Sequence, residues 1–449
     1  MRILLWHGYL LSGSGSNIYT ANVARAWREQ GHAVVVMCQD RSAERYDWVD
    51  RYLEVGSASS LAVPADGECF VARPDIGDLL PVYVYDEYEG FTVKTFVELS
   101  DAELDTYTER NVEVMANVIE RFHPEAIITG HEVMGPYIAK RACETTSTRY
   151  IAKLHGSALE YAVKVQERYV HYATEGLTAA TQVVGGSEYM LDAAAAAVPG
   201  WRERGRVVNP GCDTELFRPA EGTRRGPPTA AFVGKLIVQK GVHHLLAAAG
   251  LTHKPGLRLE IVGFGGFADA LERLATALQA GDRAGALSAA TDPRGAALEP
   301  LTTFLEDRAA DDAYWTRLSQ VPVNFAGRLD HDPLAEVLPD FDVLAVPSVL
   351  PEAFGMVAAE AAACGVLPVV PDHSGIAEAG RAVEEHLGRP GFLTFQAADP
   401  IRSLASALDR VLALDADERR ALGVEAAELA HRRWSWHTVA RTLLEIASH

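Results

Sequence analysis

Short apolar runs alternate with longer amphipathic segments along the whole chain. At its start, the apolar run 3–6 is followed by a segment of helical periodicity over 18–30 and then by the apolar run 33–37. Runs of four to six consecutive apolar residues are typical of strands buried on both faces of a parallel sheet, and amphipathic helices cover such faces. The alternation therefore predicts an α/β fold assembled from βαβ units.

The alternation restarts in the second half of the chain, which indicates a second domain. The restart follows residues 220–228, a tract rich in Gly, Pro and Arg that has no periodicity and is interpreted as a linker. Because 449 residues exceed what one ordinary core supports, we predict two Rossmann-like domains, over residues 1–208 and 209–431. The acidic, Ala-rich stretch 281–320 is interpreted as an insertion in the second domain.

Composition and charge narrow the class of protein. A net charge of −20, with 48% hydrophobic and 23% charged residues, is that of a soluble globular protein. The acidic surplus argues against nucleic acid or an anionic membrane surface as the main partner, because phosphate contacts need basic side chains. The N-terminus turns polar too soon for a signal peptide, and no apolar run approaches the roughly 18 residues of a membrane helix. Five cysteines without paired spacing indicate reduced thiols, and hence a cytoplasmic protein.

The most informative stretch follows the apolar run 343–346, where a predicted strand ends. A loop carrying Glu352 comes next, and a helix is predicted from Met356, with Glu360 near its second turn. In open α/β sheets, ligands bind where the strands end, and free N–H groups at a helix N-terminus favour an anion such as phosphate. The two carboxylates then suit a ligand with hydroxyls at two depths. The alternative is a pair of solvated surface acids.

Two lysines, Lys235 and Lys240, bracket a loop that opens a helix in the second half. Lysine near a helix N-terminus is electrostatically unfavourable, because the helix dipole there prefers negative charge. A bound diphosphate would resolve the conflict. The alternative is two solvated lysines.

In the first half, the loop Gly13-Ser14-Gly15 joins the first strand to the first helix and would let backbone amides approach an anion. It lacks the third glycine of the dinucleotide fingerprint, so an NAD-dependent oxidoreductase is only an alternative. His155 ends a later strand and precedes Gly and Ser, a position from which a side chain touches ligand. A histidine hydrogen-bonded between strands is the other interpretation. His131 and His7, at earlier strand ends, are weaker candidates.

This set of groups suits a ligand with a diphosphate and many hydroxyls, which is a nucleotide-sugar. Departure of a nucleoside diphosphate requires its growing negative charge to be offset by a metal or by cations and dipoles. The triplets Asp330-His331-Asp332 and Asp340-Phe341-Asp342 are interpreted as cap and loop residues rather than metal ligands. Neither a metal site nor another cofactor is predicted.

Several motifs resemble those of the family-four retaining glycosyltransferases of the GT-B fold. In the second half they are Gly234-Lys235, Lys240-Gly241, Pro347-Ser348, Glu352-x7-Glu360 with Phe354-Gly355, Gly365, and Ser374-Gly375 with Glu378. Landmarks of the first half and of the linker are Gly13-Ser14-Gly15, His155-Gly156 and Asn209-Pro210-Gly211-Cys212-Asp213-Thr214. The resemblance covers nearly the whole chain. It implies two Rossmann-like domains facing each other across a cleft, with a final helix over about 432–449 that crosses back to the first domain.

The resemblance also implies how the phosphates are held. Lys235 and Lys240 would neutralise the diphosphate, aided by backbone amides near Phe354-Gly355 and by the loop at Gly15. Arg is usual where Lys235 stands, so a bidentate phosphate contact becomes a point charge.

The sugar, ribose and base are assigned in the same way. Glu352 would hold hydroxyls of the transferred sugar, Glu360 would hold the ribose, and the base would lie near Arg328-Leu329. His155 would contact the sugar near its anomeric centre. His155, Lys240 and Glu352 are the predicted catalytic residues.

The implied reaction is metal-independent transfer of a hexosyl group with retention, from a UDP-sugar or, as second choice, GDP-mannose. A sugar phosphorylase or an epimerase of the same fold is the alternative. Acidic residues of the predicted helix 102–122, such as Glu109, favour a soluble small-molecule or glycan acceptor over a membrane-bound one. Nucleic acid and stable membrane insertion are not expected, and formation of a homo-oligomer stays open.

Overall fold

The computed structural model describes residues 1–55, 62–144, 146, 148–220 and 226–448, which form two compact units. The N-terminal unit comprises Met1–Pro210 and Trp436–His449, and the C-terminal unit comprises Gly211–Ser435. The division therefore falls at Pro210 and Ser435, rather than at the predicted 208 and about 431. The tract 220–228, predicted as the linker, belongs to the C-terminal unit, and its residues 221–225 lie outside the described part of the chain.

The N-terminal unit consists mainly of strands joined by helices. Its strands are β1 (Arg2–Trp6), β2 (Ala33–Met37), β3 (Arg51–Val55), β4 (Cys69–Pro74), β5 (Leu79–Val82), β6 (Thr92–Thr95), β7 (Ala126–Gly130), β8 (Ile151–Lys153), β9 (Gln182–Gly185) and β10 (Gly205–Val207). Its first five helices are α1 (Gly15–Glu29), α2 (Asp101–Phe122), α3 (Gly135–Cys143), α4 (Glu167–Ala179) and α5 (Glu188–Ala197).

Eight of these strands form one sheet in the order β10-β9-β8-β7-β1-β2-β4-β3, and the pairs within it are parallel. All five residues of β2 are buried, as its apolar run predicts. β2 pairs with one side of β1, and β7, which comes later in the chain, pairs with the other side. The strand order therefore reverses between β1 and β7, and such a switch point is where open α/β sheets bind ligands.

The C-terminal unit repeats this plan with fewer strands. Its strands are β11 (Thr229–Val233), β12 (Arg258–Val262), β13 (Val323–Gly327), β14 (Val343–Ala345), β15 (Leu367–Pro371) and β16 (Thr394–Phe395). Its helices are α6 (Val242–Ala248), α7 (Ala268–Gln279), α8 (Arg283–Ala289), α9 (Glu299–Asp307), α10 (Asp312–Ser319), α11 (His331–Val337), α12 (Met356–Ala363), α13 (Ser374–His386), α14 (Pro400–Leu412) and α15 (Ala416–Trp434).

The sheet of this unit has the order β13-β12-β11-β14-β15-β16, again with parallel pairing. Its switch point lies between β11 and β14. The predicted α/β class with two Rossmann-like units is thus confirmed.

The stretch 281–320, interpreted from sequence as an insertion, is packed into the core of the C-terminal unit. It contributes α8, α9 and α10, and Leu301, Phe304 and Tyr314 are buried there. The Tyr314 hydroxyl donates a hydrogen bond to the carbonyl oxygen of Ala247 in α6, at 3.0 Å. Its acidic residues, such as Asp312, point to solvent, which is why the stretch looks peripheral in the sequence.

The last helix, α16 (Trp436–Ala447), belongs to the N-terminal unit, as predicted. The indole Nε1 of Trp27 in α1 donates to the carbonyl oxygen of Ala440 at 2.8 Å. Trp436 and Leu443 are buried in the core of that unit. No helix within the described residues is long and apolar enough to cross a bilayer.

Candidate functional site

The switch point of the C-terminal unit brings together two loops that the sequence singled out. The loop after β11 carries Lys235 and Lys240, and the loop after β14 carries Glu352. Because β11 and β14 are hydrogen-bonded neighbours, both loops leave the same edge of the sheet side by side. The structure therefore places these three predicted residues in one region.

Lys240 and Glu352 are in direct contact. The Nζ of Lys240 lies 2.8 Å from Oε1 of Glu352, and the two side chains are 30% and 16% exposed. The hydroxyl of Ser348 donates to the same carboxylate oxygen. A cation and a hydroxyl thus fix the orientation of the Glu352 carboxylate, which the sequence alone did not indicate.

A second layer of contacts holds the backbone of Glu352. Its N–H donates to Oγ of Ser374 at 3.0 Å, and its carbonyl accepts from the N–H of Gly375 at 2.9 Å. The ring of His373 lies within 3.1 Å of both Ser374 Oγ and the Ser348 carbonyl oxygen. Ser374 has a φ of 56°, a left-handed conformation that costs energy for a residue other than glycine. The loops after β14 and β15 are therefore joined around Glu352.

Gly241 sets the spacing between the loops after β11 and β14. It has a φ of 69°, and a Cβ at this position would come within 1.9 Å of the Pro347 carbonyl oxygen. The N–H of Val349 donates to the Gln239 carbonyl at 2.8 Å across the same junction. Only glycine fits here, and the close approach brings Lys240 next to the loop of Glu352.

The N-terminus of α12 follows the same loop. Gly355 precedes the helix with a φ of 88°, and a Cβ there would lie 1.9 Å from Cδ1 of Ile376. Phe354 is buried, with its ring centroid 5.7 Å from that of Trp434. The Phe354 side chain therefore belongs to the core, and the contact predicted at this position is one of the backbone amides, which this packing leaves possible.

Glu360 lies inside α12 and is buried with little compensation. Its side chain is 9% exposed, and burial raises the pKa of the carboxyl to about 7. The nearest basic group is His331, whose Nε2 lies 4.0 Å from Oε1. Among the described residues we find no hydrogen-bond partner for this carboxylate. A buried carboxyl without partners is ready to accept hydrogen bonds from ligand hydroxyls.

Lys235, in contrast to Lys240, is exposed and makes no ion pair with another described residue. The backbone beside it is fixed, because the N–H of Leu236 donates to the carbonyl of Phe264 at 2.8 Å. Its charge is thus available to an incoming anion.

Arg328 and Leu329 follow β13 at the far end of the same sheet edge. The Arg328 guanidinium is paired with Asp330 at 2.9 Å and lies 5.1 Å from the ring centroid of Phe264. Leu329 is half-buried against the core. The base predicted to lie near Arg328-Leu329 would therefore meet a paired guanidinium and an aromatic ring.

In the N-terminal unit, three histidines follow three adjacent strands. His7 follows β1, His131 follows β7 and His155 follows β8. The ring centroid of His131 lies 5.4 Å from that of His7 and 4.8 Å from that of His155. Sequence reasoning favoured His155 and ranked the other two below it, although all three carry the same signal: a polar residue at the end of a buried strand.

Burial keeps this histidine cluster neutral. It lowers the pKa of His7 to about 4, and it holds the pKa values of His131 and His155 well below the usual range. His7 lowers the pKa of His131 further, and His131 does the same to the pKa of His155. Both ring nitrogens of His131 are buried without a partner among the described residues. Neutral imidazoles can both donate and accept hydrogen bonds, which suits sugar hydroxyls better than a phosphate.

Two further ionisable groups border the cluster. Glu132 is buried and accepts the N–H of Gly156 at 2.8 Å, and burial raises its pKa to about 7. Burial lowers the pKa of Lys153 to about 7, and its Nζ lies 5.1 Å from the ring centroid of Tyr19.

The glycine loop of the first half leads into α1. Gly13 has a φ of 98°, Ser14 caps the helix, and Gly15 is its first residue. Asp40, the acid after β2, is buried and accepts the N–H of Leu11 at 3.1 Å. In dinucleotide-binding folds, the acid at this position binds the ribose hydroxyls. Here the Asp40 carboxylate already accepts a hydrogen bond from the loop.

The loop and the histidines are connected through α1. The side chain of Asn17 bonds to Nε2 of His7 at 2.8 Å, and its amide nitrogen donates to the carbonyl oxygen of Ser12 at 2.5 Å. Gly15 and His155, the two predicted residues of the first half, therefore belong to one structured edge. Within the described ranges, no group of three or more His, Cys, Asp and Glu side chains is arranged to hold a metal ion.

Part of the C-terminal unit matches a known protein family. The family model for glycosyl transferases group 1 matches residues 314–428. The alpha-maltose-1-phosphate synthase of Mycolicibacterium smegmatis is 29% identical over 259 residues, which cover 54% of this chain and 56% of that protein. The D-inositol 3-phosphate glycosyltransferase of Mycobacteroides abscessus is 28% identical over 247 residues, covering 53% and 45%. The chain thus spans about half the length of the curated relatives that it matches.

Solved structures match over nearly the whole chain. A sucrose-phosphate synthase from Thermosynechococcus elongatus has a TM-score of 0.61 at 18% identity, covering 99% of this chain and 97% of that one. The Anabaena protein HepE in complex with UDP has a TM-score of 0.62 at 16% identity, covering 99% of each chain. At this level of identity the likeness establishes the fold, and the fold is the GT-B fold that the sequence motifs predict.

Proposed function

We propose that this chain, a GT-B protein with a group 1 glycosyl transferase region in its C-terminal unit, is a retaining glycosyltransferase. It moves a hexosyl group from a nucleotide-sugar to a hydroxyl of a soluble acceptor. The favoured nucleotide-sugar is a UDP-sugar, and GDP-mannose is the second choice. The contact between Lys240 and Glu352 carries this proposal. It joins a phosphate-binding cation and a sugar-binding carboxylate at the switch point of one sheet.

The diphosphate would bind between the lysines and the N-terminus of α12. Lys235 is exposed and unpaired among the described residues, and the Lys240 ammonium has three N–H donors, of which Glu352 uses one. An arriving phosphate oxygen can therefore take a second donor while the ion pair stays intact. The free N–H groups after Gly355 and the helix dipole add to the stabilisation of the departing nucleoside diphosphate.

The carboxylates would hold the two sugars of the nucleotide-sugar. Glu352 is positioned by Ser348 and Lys240, so that its remaining lone pairs are oriented for hydroxyls of the transferred hexose. Glu360 is buried without a hydrogen-bond partner in the described part of the chain, and the two vicinal ribose hydroxyls would supply the missing donors.

The histidine cluster of the N-terminal unit would contribute the remaining contacts. His155 and His131, whose ring centroids lie 4.8 Å apart, are neutral imidazoles that can bond to hexose hydroxyls near the anomeric carbon. In a retaining transfer without a protein nucleophile, the leaving phosphate oxygen takes the proton of the acceptor hydroxyl. His155, Lys240 and Glu352 would then act by positioning and by charge stabilisation.

The relatives support this class of reaction and leave the substrates open. One matched relative is named an alpha-maltose-1-phosphate synthase, another is named a D-inositol 3-phosphate glycosyltransferase, and a structural neighbour is bound to UDP. A soluble acceptor, and with it a cytoplasmic location, remain parts of the proposal. Strong sedimentation of the protein with anionic liposomes would contradict them.

Calorimetric titration with UDP, GDP, ADP and their sugars tests the proposal directly. We expect one nucleoside diphosphate to bind clearly more tightly than the others, and its sugar to be hydrolysed slowly without acceptor. The Glu352→Gln variant should bind the nucleoside diphosphate normally and lose transfer, because it keeps the shape and removes the charge that holds the hexose. Absence of binding by every nucleotide, or full transfer by Glu352→Gln, would refute the assignment.

A further inference from the structure

Glu132 is a buried acid that the proposed ligand contacts leave unused. It comes two residues after β7, next to His131, and its side chain is fully buried. A buried carboxylate is costly unless hydrogen bonds or an opposite charge compensate it. The groups that compensate Glu132 therefore indicate what the residue does.

The carboxylate of Glu132 holds the backbone beside His155. Its Oε1 accepts the N–H of Gly156 at 2.8 Å, and the N–H of Leu159 also stabilises the charged form. Gly156 has a φ of 87°, in the left-handed region that favours glycine. A side chain that follows β7 thus fixes the turn that carries His155 out of β8.

The backbone before Glu132 is strained. His131 has a φ of 70°, a conformation that costs energy for a residue other than glycine. Its N–H donates to the carbonyl oxygen of Lys153 at 2.8 Å, so the strained residue joins the end of β7 to the end of β8. This turn is what allows the Glu132 side chain to reach the backbone that follows β8.

The ring of His155 is held by aromatic neighbours, whereas its backbone is held by Glu132. The ring centroid lies 5.2 Å from that of Tyr19 and 4.8 Å from that of His131. His155 is only partly buried, in contrast to Glu132. His155 can therefore touch a ligand, and Glu132 can act on it through the Gly156 peptide.

Glu132 has a charge that depends on pH near neutrality. Burial raises its pKa to about 7, and Lys153 of β8, itself buried with a pKa lowered to about 7, opposes this shift. The other titratable groups near it are the three histidines of the cluster, which burial keeps neutral, and Tyr83, whose pKa is well above its usual range. An ionised carboxylate accepts hydrogen bonds more strongly than the protonated acid does. The hold on Gly156 should therefore weaken as the pH falls through about 7.

We propose that Glu132 is a positioning residue, which keeps the His155 imidazole in place by accepting the N–H of Gly156. This inference rests on the proposed function, because the position of His155 matters to the reaction only if the ring meets the hexose. The competing interpretation is a buried acid that contributes to stability alone.

A double-mutant cycle tests whether Glu132 acts through His155. The probe is whichever of UDP-glucose, GDP-mannose and ADP-glucose the wild type turns over fastest, and release of its nucleoside diphosphate is measured. We expect Glu132→Ala to lower kcat roughly 10- to 100-fold, with unchanged calorimetric binding of the nucleoside diphosphate. In the His155→Gln background, the same substitution should lower kcat less than about 3-fold. Glu120→Gln, at an exposed acid of α2, is the control for loss of a carboxylate.

The pH dependence of kcat gives a readout that a purely structural role would not change. The wild-type kcat should fall roughly 10-fold from pH 8 to pH 6, as a group with a pKa of about 7 takes up its proton. Glu132→Gln keeps an acceptor oxygen and cannot titrate, so its kcat should vary less than about 2-fold over this range. Lys153→Met should move the fall to higher pH, because Lys153 lowers the pKa of Glu132. Saturating nucleotide-sugar at each pH keeps the titration of Glu360, which affects binding, out of kcat.

The possible outcomes separate this inference from the proposed function. If the wild type turns over no nucleotide-sugar, the proposed function fails and the inference fails with it. If the wild type is active and the Glu132 and His155 substitutions lower kcat additively, only the inference is overturned. A full fall of kcat below pH 7 in Glu132→Gln, or weaker nucleotide binding by Glu132→Ala, would also overturn it. Thermal denaturation checks that each variant is folded, and Glu132→Gln decides the question if Glu132→Ala is not.

Discussion

The carboxylate of Glu360 should make the protein less stable, and replacing it with an amide should stabilise the fold while impairing ligand binding. Its side chain is 9% exposed, and burial raises the pKa of the carboxyl to about 7. The groups that face it are His331 at 4.0 Å and the buried thiols Cys212 and Cys364. Glu360→Gln keeps the shape of the side chain and removes its charge.

The magnitude follows from the two pKa values of the carboxyl. The ordinary pKa of a glutamate is 4.5 and the folded-state pKa is about 7. The difference corresponds to roughly 3.4 kcal/mol at about 1.36 kcal/mol per pKa unit, which is an upper bound. Because the folded pKa is raised, the folded state holds the proton more tightly. The stability that comes from this tighter proton binding is fully present below pH 4.5 and is lost as the pH rises through about 7. Between pH 4.5 and 8, the free energy of unfolding of the wild type should therefore fall by up to that amount relative to that of Glu360→Gln.

Urea denaturation at pH 5 and at pH 8, followed by tryptophan fluorescence, measures the effect. We expect Glu360→Gln to be about 2–3 kcal/mol more stable than the wild type at pH 8 and nearly equal to it at pH 5. Glu425→Gln, an exposed acid of α15, should show no such pH dependence. His331→Gln should not remove the difference, because the imidazole is more than half exposed. An equal effect of Glu360→Gln at both pH values would refute the reasoning.

Further predictions concern the loops and the histidines. Gly241→Ala should destabilise the protein by at least about 2 kcal/mol more than Gly256→Ala does, since both positions have a left-handed φ but only Gly241 faces a backbone oxygen. Chemical denaturation measures this difference, and equal losses of stability in the two variants would contradict the prediction. Lys240→Met should lower kcat/KM roughly 10- to 100-fold, because it removes the cation next to Glu352. Lys235→Arg should preserve or improve the affinity for the nucleotide-sugar, because a bidentate phosphate contact becomes available. Steady-state kinetics with the preferred nucleotide-sugar tests both predictions. His155→Gln should reduce kcat with unchanged binding of the nucleoside diphosphate by calorimetry, and a loss of nucleotide affinity instead would place the ring near the diphosphate.

Much of the fold follows from local patterns in the sequence. The apolar run 33–37 is buried at all five positions as β2, and the helix expected from Met356 begins there as α12. The stretch 281–320 was harder to interpret, because its acidic surface positions mask a face of Leu and aromatic residues that joins the core. Periodicity shows where helices and strands lie along the chain. It does not show what the apolar face of each one packs against, because that depends on residues far away in sequence.

The candidate site was predictable only in part for the same reason. Strand ends identified the positions of Lys240, Glu352 and His155, since parallel strands deliver their ends to one edge. The direct ion pair of Lys240 and Glu352, however, spans more than a hundred residues and depends on Gly241. Arg328 was singled out in the sequence, whereas Phe264, whose ring it approaches to 5.1 Å, was not.

The route of the chain through the two units has a consequence for its biosynthesis. Residues 211–435 form a complete unit whose ends lie side by side, with the N–H of Cys212 donating to the Trp434 carbonyl at 2.7 Å. The N-terminal unit buries Trp436 and Leu443 from α16. A ribosome therefore releases every residue of the C-terminal unit before the N-terminal unit can close its core. A protein truncated after Ser435 should expose the surface of α1 that includes Trp27, because α16 covers it in the full chain. During synthesis, the N-terminal unit should need chaperones until the last residues emerge, and not only until residue 210 has been made.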